Sequence, residues 1–182
     1  MEFKKIQLNG FKSFAEKTNF LIEKGLTGIV GPNGCGKSNI VESLRWCMGE
    51  TSAKSMRGSG MEDVIFSGTS NKPSKNIAEV VLSLNNENKD GPHQYNELED
   101  IEIRRKIEKD KGSKFYINNK EVRAKDAQMF FADLSTGAHS PSIISQGRIG
   151  ALVTAKPVDR RAILEEAAGI SGLHARRHEA EL

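Results

Sequence analysis

Gly31-Pro32-Asn33-Gly34-Cys35-Gly36-Lys37-Ser38 is the stretch whose reading decides the fold. It fills every fixed position of the spacing G-x-x-x-x-G-K-[ST], and each fixed residue type answers a chemical demand. Glycines let the backbone curl until successive N–H groups point inward at a phosphate. The N-terminus of a following helix adds partial positive charge at the same place. The Lys37 ammonium can reach the β- and γ-phosphates, and the Ser38 hydroxyl is a hard oxygen ligand for Mg²⁺. A strand should enter such a loop and a helix should leave it. The flanks agree: Leu26 to Val30 is a short apolar run, and Ile40, Val41, Leu44 and Cys47–Met48 recur at helical spacing until Gly49. The expectation is an α/β chain that binds a nucleoside triphosphate. Cys35 fills a variable position and reads as a small loop residue, not a nucleophile.

Upstream of the loop, Phe3, Ile6 and Leu8 read as a strand closed by the turn signal Asn9-Gly10, and Phe20 to Ile22 as a second strand. Leu26 to Val30 is the third. Downstream, residues 50–76 are rich in Ser, Gly, Lys and Asn and read as loops around one apolar island, Val64 to Phe66. Strands are expected at Ala78 to Leu84, from Ile101 to Ile107, and at Phe115 to Ile117. Asp126 to Leu134 has helical spacing, and Ile143–Ile144 reads as a short strand. Pro157 opens a helix well, because its missing N–H is one of those left unpaired at a helix start. That helix should reach Ala168. Residues 173–182 read as a strongly charged helix, and no internal repeat is visible.

The bulk properties narrow the class. The chain has 182 residues, 37% hydrophobic and 28% charged, with a net charge of +3. That is too apolar for disorder and too weakly basic to imply nucleic-acid binding by itself. No apolar run approaches the roughly 18 residues that span a bilayer, and the N-terminal residues lack the apolar stretch of a secretion signal. The expected location is the cytoplasm, without a membrane partner. Cys35 and Cys47 have no metal-ligand spacing and are expected as thiols.

Several further stretches resemble the SMC family of chromosome-organising ATPases, its bacterial members best. They are Gly10-Phe11-Lys12-Ser13-Phe14, GPNGCGKSNI at 31–40, Arg45-Trp46 to Gly49-Glu50, Lys54-Ser55-Met56-Arg57-Gly58, and Met61 to Gly68. SIISQGRI at 142–149 and RRAILEEAAGI at 160–170 complete the set in the family's order and spacing. The resemblance implies an ABC-type P-loop NTPase half-head, with a mixed β-sheet, helices and the start of a coiled coil. Residues 1–172 would form the N-terminal lobe of the head and 173–182 the first turns of the coil. It implies ATP and Mg²⁺ as ligands. Lys12, Ser13, Gly31, Pro32, Asn33, Gly34, Cys35, Gly36, Lys37, Ser38, Asn39 and Asp63 fall where the family meets the nucleotide. Ser38 and Gln146 match metal contacts, and Lys37, Gln146 and Arg57 match residues that act in hydrolysis.

In that family the C-terminal half-head supplies the acidic strand and the signature motif. Neither is evident here. Met129 to Asp133, MFFAD, mimics the acidic strand but no glutamate follows. Leu134-Ser135-Thr136-Gly137 mimics a signature but precedes the Gln146 region and lacks a second glycine. The resemblance therefore implies as partners the C-terminal half-head of the same chain, a second protomer in a homodimer, kleisin-type subunits, and DNA bound without sequence preference at the nucleoid. A repair ATPase of the RecF or RecN type and a non-catalytic DNA-binding truncation are the rival readings. The EEAAGI run argues against the first.

Charge is also unevenly placed. Residues 104–125 carry nine basic against three acidic residues, a local net charge of +6. Such a patch can hold phosphate backbones, and Arg123 and Lys125 match the family's DNA contacts. Gly60 stands where relatives often carry a lysine, which weakens that surface. His174 and His178 lie four apart, but no third ligand is in sight, and a solvated coil surface explains them.

Overall fold

The computed structural model describes residues 1–134, 136–137, 143–144, 150 and 153–168. Six strands dominate: β1 (Glu2–Asn9), β2 (Thr18–Leu21), β3 (Ile77–Asn85), β4 (Asp100–Glu108), β5 (Gly112–Ile117) and β6 (Lys120–Val122). They form one sheet in the order β2-β1-β3-β4-β5-β6, every pairing antiparallel. Alternation drives it. In β4, Ile101, Ile103, Arg105 and Ile107 face the core while Glu102, Arg104, Lys106 and Glu108 face outward. β6 was not expected. Its signal was Asn118-Asn119, which adopt φ 46° and 66° and make a two-residue hairpin turn.

The helices α1 (Lys37–Cys47), α2 (Ala124–Asp133) and α3 (Pro157–Ala167) accompany the sheet among the described residues. α1 buries Ile40, Ser43, Trp46 and Cys47 against β3 and β4. The Cys47 thiol donates toward the carbonyls of Val80 and Ile103, both at 3.6 Å. α2 buries Ala127, Phe130 and Phe131, so the MFFAD segment is helical, as its spacing indicated. The apolar island Val64–Phe66 is buried too and knits to the corner after β1: Lys12 N–H donates to Val64 O at 2.7 Å and Phe66 N–H to Gly10 O at 2.8 Å. Gly10 is required there. Its φ is 63°, and a Cβ would sit 2.2 Å from Ile77 O.

Two expectations fail: Ile143–Ile144, expected as a short strand, form none, and the strand before the glycine loop is also missing. Leu26–Val30 does not form a strand, and none of the six strands pairs with it. Leu26 is 99% and Val30 94% exposed. A strand exists only where a neighbour accepts and donates its backbone hydrogen bonds, and no strand of this sheet offers it one. The parallel strand that would make the sheet mixed is thus the one left unpaired. Residues 145–149 and 169–182, with Gln146, His174, His178 and the expected coil start, lie outside the described residues.

Candidate functional site

The glycine loop projects from the N-terminus of α1. Residues 31–35 are exposed. Gly34 at φ 80° and Gly36 at φ 93° take a left-handed backbone that other residues seldom adopt. Gly36 also lacks room: a Cβ there would lie 2.4 Å from Ser13 Oγ. Ser13 thus packs against the loop's exit. Lys37 curls back over the loop and donates from Nζ to Gly31 O at 2.7 Å and Pro32 O at 2.6 Å. A cation held in the mouth of a curled, glycine-rich loop at a helix N-terminus is a fitting cradle for a phosphate chain. Ser38, in the first turn of α1, is exposed beside it. These residues fit a nucleoside triphosphate and its Mg²⁺.

Around this cradle the chain assembles a polar network. Asn39 Nδ2 donates to Ser13 Oγ at 2.9 Å, and Arg57 Nη2 donates to Asn39 Oδ1 at 2.9 Å. Lys12 and Arg57 both ion-pair with Glu42, and Lys12 also donates to Met56 O. Residues from three distant segments therefore converge: the corner after β1, the first turns of α1, and the loop after residues 54–56. Sequence reasoning had singled out Lys12, Ser13, Asn39 and Arg57 but missed Glu42. In the sequence it reads as one more acid on the helix after the glycine loop, five residues beyond Lys37.

The carboxylate of Asp63 is held within its own loop. Its Oδ2 accepts from Ser59 N–H at 2.7 Å, Ser59 Oγ at 2.8 Å and Gly60 N–H at 2.9 Å. The Gly60 amide and the Ser59 hydroxyl together hold its carboxyl below the usual range. Asp63 shapes the loop that carries Arg57.

The basic stretch is only partly a surface. Arg105 was counted in it, yet it is 3% exposed. Its guanidinium lies between the Trp46 ring, 4.5 Å away, and the Phe115 ring, 4.6 Å away. It donates from Nη1 to the carbonyls of Trp46 at 2.6 Å and Glu50 at 2.7 Å, and from Nε to Ser113 Oγ at 2.7 Å. Arg105 thus caps the C-terminal end of the helix whose N-terminus carries the glycine loop. Burial pulls it down to about 10, still cationic at neutral pH. β4 alternates, so neighbouring arginines face opposite sides. Arg104 is on the outer face, stacked on Tyr116 at 4.5 Å and 3.7 Å from Glu79. Arg123 stands at the start of α2 and grips Asp126 through two nitrogens, at 3.0 and 2.8 Å. Lys125 follows in the first turn of α2.

Arg45, Gly49 and Glu50, of the stretch after the glycine loop, are explained by packing. Arg45 pairs with the buried Glu50 at 2.9 Å, and Gly49, at φ 104°, leaves room for Gln128, whose Cγ a Cβ would meet at 2.4 Å.

Comparisons with known proteins place relatives along the whole chain. Residues 2–147 match the family model described as RecF/RecN/SMC N terminal domain. The chain is 56% identical over 182 residues to the chromosome partition protein Smc of Rhodopseudomonas palustris, covering 100% of this chain and 16% of that relative. The chain thus spans about a sixth of the length of the curated relatives it matches. Among solved structures, a chain from structural biochemistry of ATP-driven dimerization and DNA stimulated activation of SMC ATPases superposes with a TM-score of 0.78 at 32% identity. It covers 92% of this chain and 99% of that one. The Smc head domain with an extended coiled coil bound to the C-terminal domain of ScpA, from Pyrococcus furiosus, gives 0.85 at 31% identity, over 98% of this chain and 44% of that one.

Proposed function

The chain belongs to the RecF/RecN/SMC N terminal domain family, and on that premise we propose that it is the ATP-binding half of an SMC-type head that acts in chromosome condensation and segregation. Residues 1–172 are the N-terminal lobe and 173–182 begin the coiled coil. Gly31 to Asn39 hold the phosphates, with Lys37 on the outer ones. Lys12, Ser13 and Asp63 border the nucleotide. Mg²⁺, when bound, would neutralise charge between the terminal phosphates, with Ser38 and Gln146 as its ligands on this chain. Arg57 stabilises negative charge that spreads during phosphoryl transfer.

Hydrolysis requires a complementary C-terminal half-head and a second, facing head. The observation that carries this is the loop's surroundings: the cradle is built, but its entering segment Leu26–Val30 is exposed and unpaired. Relatives 56% and 58% identical along the whole chain are chromosome partition proteins, which favours this reading over a repair ATPase. Closure of the head dimer would act on DNA held without sequence preference near Arg123 and Lys125. A kleisin-type subunit and a nucleoid-associated, cytoplasmic setting complete the proposal. No helix among the described residues is long and apolar enough to cross a membrane.

The test is reconstitution. The chain alone should bind ATP without turning it over, and adding the complementary half-head should restore turnover that Lys37→Ala removes. Undiminished hydrolysis by the chain alone would sink the half-site proposal. For DNA, neutralising Arg123 and Lys125 together should lower the slope of log affinity against log salt by about 2. An unchanged slope excludes both as phosphate contacts.

A further inference from the structure

We infer that Glu42 is a positioning residue for nucleotide recognition: its buried carboxylate gathers Lys12 and Arg57 beside the phosphate loop, and through them favours a triphosphate over a diphosphate. The inference rests on the nucleotide-binding reading above and adds a residue that neither the motif nor the resemblance singled out.

Glu42 lies on α1, five residues beyond Lys37, and is 8% exposed. A carboxylate at that depth is tolerated only when its charge is matched. Here it is matched twice. Oε2 takes the Lys12 ammonium and Oε1 takes Arg57 Nε. The two cations come from segments 45 residues apart, and both have left-handed backbones, with φ 46° at Lys12 and 55° at Arg57. Such conformations are rare for long side chains and persist where the surroundings impose them. Each of these turns delivers a cation to the same carboxylate.

The convergence also sets direction. Arg57 is fixed through two nitrogens, Nε on Glu42 and Nη2 on Asn39 at 2.9 Å. Asn39 is the residue after Ser38, and it holds Ser13, which packs on Gly36. The guanidinium plane is therefore anchored to the first turn of α1, at the edge of the cradle. Lys37 and the loop amides serve the phosphates inside the loop. Cations gathered at its edge are placed for the outermost phosphate. Without Glu42, Lys12 and Arg57 would repel each other and Arg57, 58% exposed along its side chain, would lose one of its two anchors.

The experiment compares fluorescent ATP and ADP analogues bound to the chain assembled with its complementary half-head. Glu42→Gln should weaken ATP binding about tenfold, the loss of roughly one charge-assisted contact, and ADP binding less than about twofold. In a Lys12→Ala/Arg57→Ala background the same substitution should leave the ATP-to-ADP ratio unchanged. Glu42→Asp, which keeps the charge but withdraws it by one methylene, should give a smaller loss of the ratio, and it carries the test if Glu42→Gln does not fold. Equal weakening of both nucleotides, or an effect that persists in the double background, overturns the inference and leaves the nucleotide site standing. If the unaltered protein binds neither nucleotide, the nucleotide-binding reading itself falls, and the inference with it.

Discussion

The six-stranded sheet and the segment from Glu23 to Gly34 are built on opposite terms. The sheet satisfies itself. Its strands pair in one continuous antiparallel ladder, and its inner face is sealed by Trp46, Phe11 and the isoleucines of β4. The segment ahead of α1 is exposed at every position from 23 to 34, although Leu26, Ile29 and Val30 are as apolar as any strand residue in the core. What separates them is partners, not composition. Most antiparallel neighbours here follow one another along the chain, β5 and β6 through the tight turn at Asn118-Asn119, although β1 meets β3 only across residues 10–76. A strand feeding a phosphate loop belongs to a parallel arrangement, and parallel neighbours come from far along a chain or from another one. The stable lobe is thus a platform, and the chemistry sits on its unfinished side.

The largest effect that would break this contrast is on assembly. Val30→Asp places a charge on the exposed segment and should abolish co-elution with the complementary half-head. Stability of the lobe itself should change by less than about 0.5 kcal/mol, as for an ordinary surface substitution. Retained co-elution would show that the segment is not the joining edge.

Next in size is Arg105→Met on the sheet side. It removes the cap on two buried carbonyls and the guanidinium between two rings. Urea unfolding should register a loss of about 3 kcal/mol, whereas Lys37→Ala should cost under about 0.5 kcal/mol while emptying the nucleotide site. Similar losses for the two would erase the distinction between platform and site.

A thiol count sharpens the same contrast. Burial pushes the Cys47 thiol up to about 12, and Cys35 is exposed in the loop. A disulfide reagent at neutral pH should therefore label one cysteine in the folded chain and both in denaturant. The sign follows: Cys47 favours the folded state while neutral, and that contribution is lost only as pH rises from 9.0 through about 12. Rapid native labelling of Cys47 would mean that α1 does not stay docked.

The smallest effect concerns Asp63. Its carboxyl is held below its ordinary 3.8 by the Gly60 amide and the Ser59 hydroxyl. The order it confers on residues 59–60 is present above that value and lost as pH falls through the lower, folded one. Amide exchange at Ser59 and Gly60 should rise relative to the sheet in that acidic window, and Asp63→Asn should raise it at neutral pH. A flat profile would remove Asp63 as the loop's organiser.

Much of this was legible in the sequence because it is local. The glycine loop, the helix after it and the alternating strands are set by spacing within a dozen residues. Even the missed β6 had a local sign in Asn118-Asn119, two residues suited to left-handed turns. Two features were not legible. Arg105 reads like any other residue of a basic run, and only the alternation of β4 against Trp46 turns it inward. Glu42 reads as a helix-surface acid until the corner at Lys12 and the loop at Arg57 arrive from elsewhere in the chain.

The sequence by itself determined that this chain carries a phosphate-binding loop, because that chemistry depends on glycine's backbone freedom and one lysine at fixed spacing. It also determined the family, whose motifs run in order along the chain. Only the tertiary structure decided which charges face solvent and which are buried, and which carboxylate gathers the cations at the loop. It alone left Leu26 to Val30 without a strand partner. A strand needs a neighbour, and a buried charge needs a counter-charge. Both come from residues distant in sequence, which no local pattern specifies.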